Sequence, residues 1–493
     1  MRKRILAVLL GTVFLLSLVG CNEFLEEDEM EPLETEQTTT TKRTTTTTMQ
    51  KKDIKVPGIC YSSTDSLSPY QSTTRVNQQL WSLLYEGLTI ITNDWQTTNG
   101  LAQSIQKQNA TTYVATLRKN AKFSDGTAVT PSHVVSSFQL AKRSASFASL
   151  VADIQSVRAS KDNTVTITFS SAVPWAERAL SFPVVNGTLG SGPYVYSKKQ
   201  KMLVASQYRE TPPTIAKWRL EDVSRRYNQQ YALESGQVQY YFTDLEENEI
   251  ARVTTTVSVN PVEIPYLIFM GINTGRSTWQ KTVVRKGLSA AISRKAVGAA
   301  GCAGYANPAT SIFPSSVKGV SQWEGFAEEA QVGIAVDAFE KAEINNVSAD
   351  LVVPSSNKTL VNAAKEIASE LKKVGINVNI RSLEAGSFRS CVSNGNYDFY
   401  LGEIRLPNTL SLDTLLQSGG AGSSGITSTG KADYQKYRSG QLDAKAFHEA
   451  FLQEIPLIPL VWEQGLSMAS ADLTGVTTCG ADAYYQVQNW KWK

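Results

Sequence analysis

The sequence predicts a mixed α/β protein, and two kinds of segment carry that prediction. Residues 349–353 and 376–380 are short apolar runs on either side of an amphipathic stretch, the strand–helix–strand order of a parallel sheet. Residues 112–117 and 164–169 alternate apolar and polar side chains, as half-buried strands do. Strands are therefore spread along the chain and alternate with helices.

The N-terminal half adds three predicted elements. Residues 56–61 are expected to form the first strand and residues 78–85 a helix. Thr130 is a helix-capping residue, and Pro131 suits the first helical position because the missing N–H group needs no partner there. The buried stripe of that helix includes Phe138.

The C-terminal half contains the clearest helix, which Ser355 or Ser356 is expected to cap and Gly375 to end. Residues 397–401 are predicted to form a further strand. Residues 455–461 are apolar but contain two prolines, which favours a sheet edge or a segment that crosses between lobes.

The chain begins with a secretion signal rather than a fold element. Residues 1–4 are basic, and an apolar run from Ile5 to Val19 is too short for an ordinary membrane span. Leu18-Val-Gly-Cys21 resembles the lipobox of bacterial lipoproteins. The resemblance implies cleavage of residues 1–20 and a diacylglycerol on Cys21, which anchors the protein outside the cytoplasm. An ordinary signal peptide or an uncleaved anchor is the alternative.

Residues 21–54 are predicted to be a disordered tether. Eight acidic residues lie between positions 22 and 36, and two threonine runs follow. Such a composition has too little apolar surface to offset the entropy lost on ordering. The tether is a spacer between the membrane and the folded body, and its threonines are possible sites for O-linked sugars.

Charge and motifs argue against several function classes. The net charge is +3, and beyond the signal no basic run indicates nucleic-acid binding. His133 and His448 are the two histidines, and neither has the sequence context of a zinc site or a serine triad. No nucleophile elbow or phosphate-binding glycine loop is present. We therefore expect no enzymatic activity and no cofactor.

Four cysteines remain beside Cys21, and they are far apart and show no CxxC spacing, which makes a metal site on them improbable. Outside the cytoplasm they allow three complete disulfide pairings, and free buried thiols are an equal alternative. They are Cys60, Cys302, Cys391 and Cys479.

A series of short motifs then resembles the extracytoplasmic solute-binding proteins, family 5, of peptide-type ABC transporters. The matching stretches occur in the family's order across roughly residues 55–490, and each is a packing signature. They are Leu67-Ser-Pro69, Tyr85-Glu-Gly-Leu88, Phe123-Ser-Asp-Gly-Thr127, Val134-Val-Ser-Ser-Phe138, Gly190-Ser-Gly-Pro-Tyr194, Asn273, Val283–Leu288, Ala290–Arg294, Ile367–Ile380 and Tyr397-Asp398.

The resemblance implies a periplasmic-binding-protein-like two-lobe fold (class II, large type C) with an extra subdomain and a ligand cleft between the lobes. Crossing segments are expected near Pro261–Tyr266 and Leu460–Leu466. The implied boundaries are 55–75 with 180–262 and 466–493 for lobe 1, 76–179 for its additional subdomain, and 263–465 for lobe 2.

The chain departs from the family pattern at two places. Ser293 stands where the family usually has an aspartate, so any ion pair of that aspartate is missing. After the Tyr397-Asp398 strand, Glu403 replaces a frequent tryptophan, and Leu406 replaces the acidic residue that meets a peptide amino group. Recognition of a free amine by that acidic residue therefore does not carry over.

Glu403 and Arg405 are the leading candidates for ligand contact, because alternate residues of an extended segment point the same way. Arg405 suits a carboxylate and Glu403 an ammonium group. The alternative is a structural salt bridge between them or with neighbours. The other predicted site residues are Leu406, Trp462, Glu463, Tyr85, Tyr266 and Asp413, the last with a helix N-terminus as its commoner role.

The predicted function is capture of a peptide, or a similar small solute, between two lobes and its delivery to an ABC permease with its ATPase subunits. We expect a monomer that is lipid-anchored to the membrane through Cys21. An oligosaccharide receptor, or a signalling or adhesion lipoprotein that reuses the fold, is the alternative.

Overall fold

The computed structural model describes residues 55–224, 229–244 and 257–493. The predicted signal peptide, Cys21 and the tether lie outside these residues. Within the described ranges, no helix is both long enough and apolar enough to cross a membrane.

The described strands range from two to sixteen residues in length. In chain order they are β1 (Gly58–Tyr61), β2 (Thr89–Ile91), β3 (Thr97–Asn99), β4 (Ala102–Lys107), β5 (Thr112–Leu117), β6 (Ile154–Ser160), β7 (Thr164–Phe169), β8 (Tyr194–Ser197), β9 (Met202–Ala205), β10 (Lys217–Asp222), β11 (Tyr240–Thr243), β12 (Val257–Ile272), β13 (Ala306–Pro308), β14 (Val347–Pro354), β15 (Ile376–Leu383), β16 (Phe399–Arg405), β17 (Leu457–Ser470), β18 (Leu473–Thr474) and β19 (Lys491–Trp492).

The described helices are mostly short, and α9 is the longest at 15 residues. They are α1 (Arg75–Gln79), α2 (Trp81–Leu84), α3 (Pro131–Ala141), α4 (Gln229–Glu234), α5 (Ser277–Gln280), α6 (Thr282–Ala291), α7 (Arg294–Gly301), α8 (Val332–Lys341), α9 (Lys358–Lys372), α10 (Ala385–Ser393), α11 (Asp413–Leu416), α12 (Ser428–Arg438) and α13 (Ala444–Glu454).

An 11-stranded mixed sheet runs through the protein in the order β15-β14-β16-β12-β17-β11-β1-β10-β9-β8, with β13 paired to β17. The strands β12 and β17 are long and antiparallel, and they belong to both halves of the sheet. Their outer ends pair with β11 on one side and β16 on the other. We call the β11-to-β8 part the first half and the β16-to-β15 part the second half.

The strands β11 and β16 run toward each other and end near the centre of the long pair. Thr243 of β11 is opposite Leu466, which in turn is opposite Pro261, whereas Arg405 at the end of β16 is opposite Tyr266. Between Glu263 and Leu267 the register of β12 against β17 shifts. The centre of the sheet is therefore both the meeting point of two strand ends and an irregular part of the ladder.

A separate four-stranded antiparallel sheet, in the order β4-β5-β7-β6, lies within the predicted additional subdomain, residues 76–179. Its inward side chains pack with α3, and their apolar core is continuous with that of the second half. The first half has its own apolar cluster, which includes Trp218, Tyr240 and Trp490. The C-terminal segment is therefore held on the first half by aromatic packing.

Local patterns placed several elements correctly. The strands β5 and β7 have the predicted bounds, α3 begins at Pro131 after Thr130, and β14, α9 and β15 form the predicted parallel unit. The predicted cap of α9 is wrong, because the Asn357 side chain accepts the hydrogen bond from the backbone N–H of Leu360. The 78–85 helix is in fact two short helices, α1 and α2, joined at Leu80.

The segment 455–461 enters β17 at Leu457, within the second half of the sheet. Among the described strands, β12 alone pairs with residues 457–460, because β13 pairs with β17 from Val461 and β11 from Leu466, so this part of β17 has the predicted edge character. Pro459 is accommodated by a register irregularity, since Ile268 is opposite Val461 and Phe269 is opposite Pro459. An irregular ladder removes the need for the backbone N–H that proline lacks.

The replacement at Ser293 comes with a different set of polar contacts. Ser293 Oγ caps α7 and donates to Glu329, and its backbone N–H donates to Glu370 over 2.8 Å. The neighbouring Arg294 is fully buried, and its guanidinium donates to the carbonyl oxygens of Ala309, Pro459 and other residues. This buried cation is therefore satisfied mainly by backbone dipoles.

Candidate functional site

A cavity of about 330 Å³ opens where the end of β16 meets the first half of the sheet. Its walls come from α1 and α2, the residues after β16, and the segment after Thr478. The lining residues include Arg75, Trp81, Phe147, Phe242, Arg405, Leu406, Asn408, Ala481 and Asp482. The predicted candidates Arg405 and Leu406 are thus in the wall of one cavity.

Arg405 reaches across the sheet to an acidic residue of the first half. Its Nη1 atom lies 2.9 Å from Oδ2 of Asp244, and the same oxygen accepts from Nε of Arg75 at 2.5 Å. Burial alone would raise the pKa of Asp244, but the two guanidinium groups outweigh it and hold the pKa below its usual value. We call Arg405, Asp244 and Arg75 the Arg405 cluster.

The fold explains why these residues meet although Asp244 and Arg405 are 161 positions apart in sequence. Asp244 follows β11 directly and Arg405 ends β16, the two strands that converge on the centre of β12. The backbone N–H of Leu406 donates to Pro265 O over 2.7 Å, which fixes the exit of the chain from β16. Leu406 itself is buried and supplies apolar wall.

A second cavity of about 190 Å³ adjoins the first. Both are lined by Trp81, Asn408, Ala481 and Asp482, so these four residues form the boundary between them. The predicted candidate Tyr85 lines this second cavity with Arg209 and Glu86, which form an ion pair of 2.7 Å. The cavities together provide a polar, partly aromatic space.

Asp482 is a site residue that sequence reasoning did not identify. Its Oδ1 accepts hydrogen bonds from Ser82 Oγ at 2.6 Å and from the Tyr484 backbone N–H at 2.9 Å. It follows Cys479-Gly-Ala in a segment without a recognisable motif, and Ser82 is 400 positions away. Aromatic packing of Tyr484 on Tyr240 and Trp490 positions this segment, which no local pattern indicates.

Glu403 does not line either cavity, although it shares a strand with Arg405. Its Oε1 accepts from Nδ2 of Asn357, the residue that caps α9, at 2.7 Å. The structure therefore brings Arg405 to the cavity wall and Glu403 to a helix N-terminus. The role of Glu403 in ligand binding stays a prediction.

Three further candidates lie in or beside the central strands. Trp462 is 1% exposed, and its indole N–H donates to Ser311 O at 3.2 Å. Glu463 is buried and opposite Ala306 of β13, and Tyr266 is opposite Arg405. None of the three lines either cavity, and their ligand roles stay predictions.

Asp413 begins α11 and binds side chains of another helix. Its Oδ1 accepts from Tyr434 Oη at 2.6 Å and from Nε of Arg438 at 3.0 Å. Arg438 also pairs with Asp153 of the four-stranded-sheet region. We call Arg438, Asp413 and Asp153 the Arg438 cluster, and it lines neither cavity.

The four cysteines within the described ranges are free thiols, so no disulfide joins them. Cys479 lines the first cavity, and burial raises the pKa of its thiol to about 12. A thiol in that state is a weak nucleophile at neutral pH. The cysteines therefore act as small apolar side chains in this structure.

Solved structures share this architecture. The unliganded open form of MppA, a periplasmic murein tripeptide binding protein, superposes with a TM-score of 0.73 at 18% identity, covering 89% of this chain and 98% of that one. HbpA2 from Haemophilus parasuis gives a TM-score of 0.73 at 18% identity, covering 88% and 99%. The fold is thus that of the periplasmic-binding-protein-like proteins.

Residues 96–420 match the family described as bacterial extracellular solute-binding proteins, family 5. The glutathione-binding protein GsiB from Escherichia coli K12 is 22% identical over 472 residues, which span 84% of this chain and 90% of GsiB. This chain belongs to the family 5 extracellular solute-binding proteins, the family that its motif series resembles. Its relatives are binding proteins rather than enzymes.

Proposed function

We propose that the protein binds a small peptide, or a similar solute with a carboxylate, in the cavity beside Arg405 and delivers it to an ABC permease. The observation that carries the proposal is the Arg405 cluster, which brings two guanidinium groups to a cavity wall where the two halves of the sheet meet. Guanidinium groups bind carboxylates in a bidentate manner. MppA and GsiB are named for a tripeptide and for glutathione, itself a peptide, which supports this ligand class.

The cavity is lined by both halves of the sheet, which favours a mechanism of domain closure. A ligand that contacts both halves favours the closed arrangement by its differential affinity, and a permease can distinguish that arrangement from the open one. The proposal includes lobe 1 (residues 55–75, 180–262 and 466–493), its subdomain (76–179) and lobe 2 (263–465). It also includes a monomeric state and a diacylglycerol anchor on Cys21.

Thermal unfolding with a panel of synthetic peptides of two to five residues, glutathione included, tests ligand binding. A true ligand raises the unfolding midpoint with concentration, as mass action requires. Small-angle scattering with the stabilising peptide should then show a smaller radius of gyration. Stabilisation by oligosaccharides but by no peptide would contradict the proposed ligand class.

The anchor is tested separately in the native host. Wild-type protein should appear in the membrane fraction and incorporate labelled fatty acid, whereas Cys21→Ser should do neither. Equal labelling of the variant would remove Cys21 as the acylated residue. This result is independent of the peptide experiment, since the binding cavity is built from residues after position 54.

A further inference from the structure

Asp482 lies at the boundary between the two cavities. It lines both, together with Trp81, Asn408 and Ala481. The Asn408 side chain donates to Ala481 O at 3.3 Å and so ties the residues after β16 to the segment that contains Asp482. The carboxylate is therefore held where the two spaces join.

One oxygen of this carboxylate is satisfied and the other is not. Oδ1 accepts from Ser82 and from the Tyr484 backbone. Oδ2 accepts no hydrogen bond from the described residues, and it is not among their fully buried unpaired atoms, so it keeps some exposure in a residue that lines both cavities. Within the described ranges Asp482 also takes part in no ion pair.

A carboxylate in this environment is costly without a cation. Burial raises the pKa of Asp482 above its usual value, with the hydrogen bonds from Ser82 and Tyr484 opposing that shift only in part. The cations of the same walls already have acidic partners: Arg75 and Arg405 bind Asp244, and Arg209 binds Glu86. None of these wall cations pairs with Asp482 within the described ranges, so a ligand ammonium group is a suitable partner for its carboxylate.

The wall around Oδ2 suits an ammonium group in particular. Trp81 lines both cavities and is only partly buried, and an indole face attracts a cation. The Arg405 cluster supplies the opposite charge to the same cavity, for a carboxylate. A zwitterion therefore has a complementary partner for each of its charges.

We propose that Asp482 is the acceptor for the ammonium group of the ligand, and that the protein selects solutes with a free amine. The proposal rests on the proposed function and narrows it to peptides with an unblocked amino terminus. Asp482 thereby supplies an acidic contact to the ligand amine. Leu406, the apolar residue directly after β16, cannot supply one.

Two random libraries of peptides with two to five residues test this, one with free amino termini and one N-acetylated. Both are made without lysine, arginine and histidine, so that the terminus is the only amine. Wild-type protein, Asp482→Asn and the control Asp337→Asn are incubated with each library, and captured peptide is quantified by mass spectrometry after gel filtration. Asp337 is exposed on α8 and lines neither cavity.

Wild-type protein and the control should capture at least about tenfold more free-amine than acetylated peptide, as the loss of a charged hydrogen bond implies. Asp482→Asn should capture both libraries equally. The variant should fold, because the amide oxygen still accepts from Ser82, and it should unfold at a higher temperature than wild type at pH 8 because the buried charge is gone.

Each alternative outcome decides something different. If Asp482→Asn keeps the preference for free amines, or if wild-type protein captures both libraries equally, the role of Asp482 is overturned while peptide binding stands. The wild-type comparison needs no variant and is decisive even if Asp482→Asn does not fold. Capture from neither library overturns the proposed function and this inference together.

Discussion

The Arg405 and Arg438 clusters both pair arginine with aspartate, but the first lies in the wall of the proposed binding cavity and the second joins structural elements. The Arg405 cluster places two guanidinium groups on one carboxylate beside a cavity. The Arg438 cluster places two carboxylates on one guanidinium, and Tyr434 and Trp175 donate to those carboxylates as well. In the Arg438 cluster the charged groups are occupied by one another and by Tyr434 and Trp175, so the cluster holds elements together. The Arg405 cluster lies in a cavity wall, where a ligand can reach it.

The largest expected effect comes from breaking the structural joint. Arg438→Ala leaves the carboxylates of Asp153 and Asp413 without their cation, and it should lower the free energy of unfolding by about 3 kcal/mol. Urea unfolding measures this. Lys436→Ala, an exposed residue of the same helix that pairs with Asp433, should change stability by less than about 0.5 kcal/mol. Equal effects of the two variants would mean that the Arg438 cluster is not a joint.

Arg405→Ala should act on binding more than on stability. Asp244 keeps Arg75, so the fold survives, but a carboxylate-bearing peptide should bind more weakly by about 1.5–3 kcal/mol. Titration calorimetry with the tightest peptide of the panel and with its C-terminal amide measures this. The amide should bind both proteins alike, and Arg389→Ala, which is exposed on α10, should bind as wild type does. Unchanged affinity of Arg405→Ala for the free peptide would remove Arg405 from the site.

Glu370 is a buried carboxylate outside the two arginine clusters. It accepts a hydrogen bond from the Ser293 backbone N–H instead of pairing with an arginine, so it shows how such a group behaves without a cation. Burial raises the pKa of Glu370 to about 7, and the hydrogen bond from Ser293 only partly opposes the shift. Its protonated form is favoured in the fold, so its stabilising contribution is complete below the unfolded pKa of about 4.5 and is lost as the pH rises through about 7.

Glu370→Gln should therefore be more stable than wild type at pH 8, by about 1–3 kcal/mol, and equal to it at pH 4. Unfolding midpoints across this pH range measure the difference. Glu366→Gln, one turn earlier on α9 and less buried, should show no such pH dependence. A pH-independent difference for Glu370→Gln would assign its effect to packing rather than to charge.

Much of the fold could be predicted because its signals are local. The alternation in β5 and β7, the Thr130-Pro131 start of α3 and the apolar stripe of α9 each depend on a few adjacent residues. The centre of the sheet could not be predicted, since the register shift that accommodates Pro459 arises only when β17 pairs with β12. Tertiary pairing decides such positions.

The site was predictable only in part, for the same reason. Arg405 could be found because it ends a recognisable strand, but its partner Asp244 is 161 positions away. Asp482 is in a loop, and what makes it unusual is burial beside Ser82, which is 400 positions away. A charge that lacks a partner becomes visible only when distant segments have been brought together.

The irregular stretch of β12 between Glu263 and Leu267 has a mechanical consequence. The register shift interrupts the regular ladder there, whereas the pairing from Val257 to Glu263 is continuous, so this stretch is a suitable place for the long strands to bend. Pro265 in this stretch accepts from the Leu406 N–H, which couples it to the residue beside Arg405. If the halves close on a ligand as proposed, a bend here changes the distance between Arg405 and Asp244 at the same time as it opens or closes the sheet.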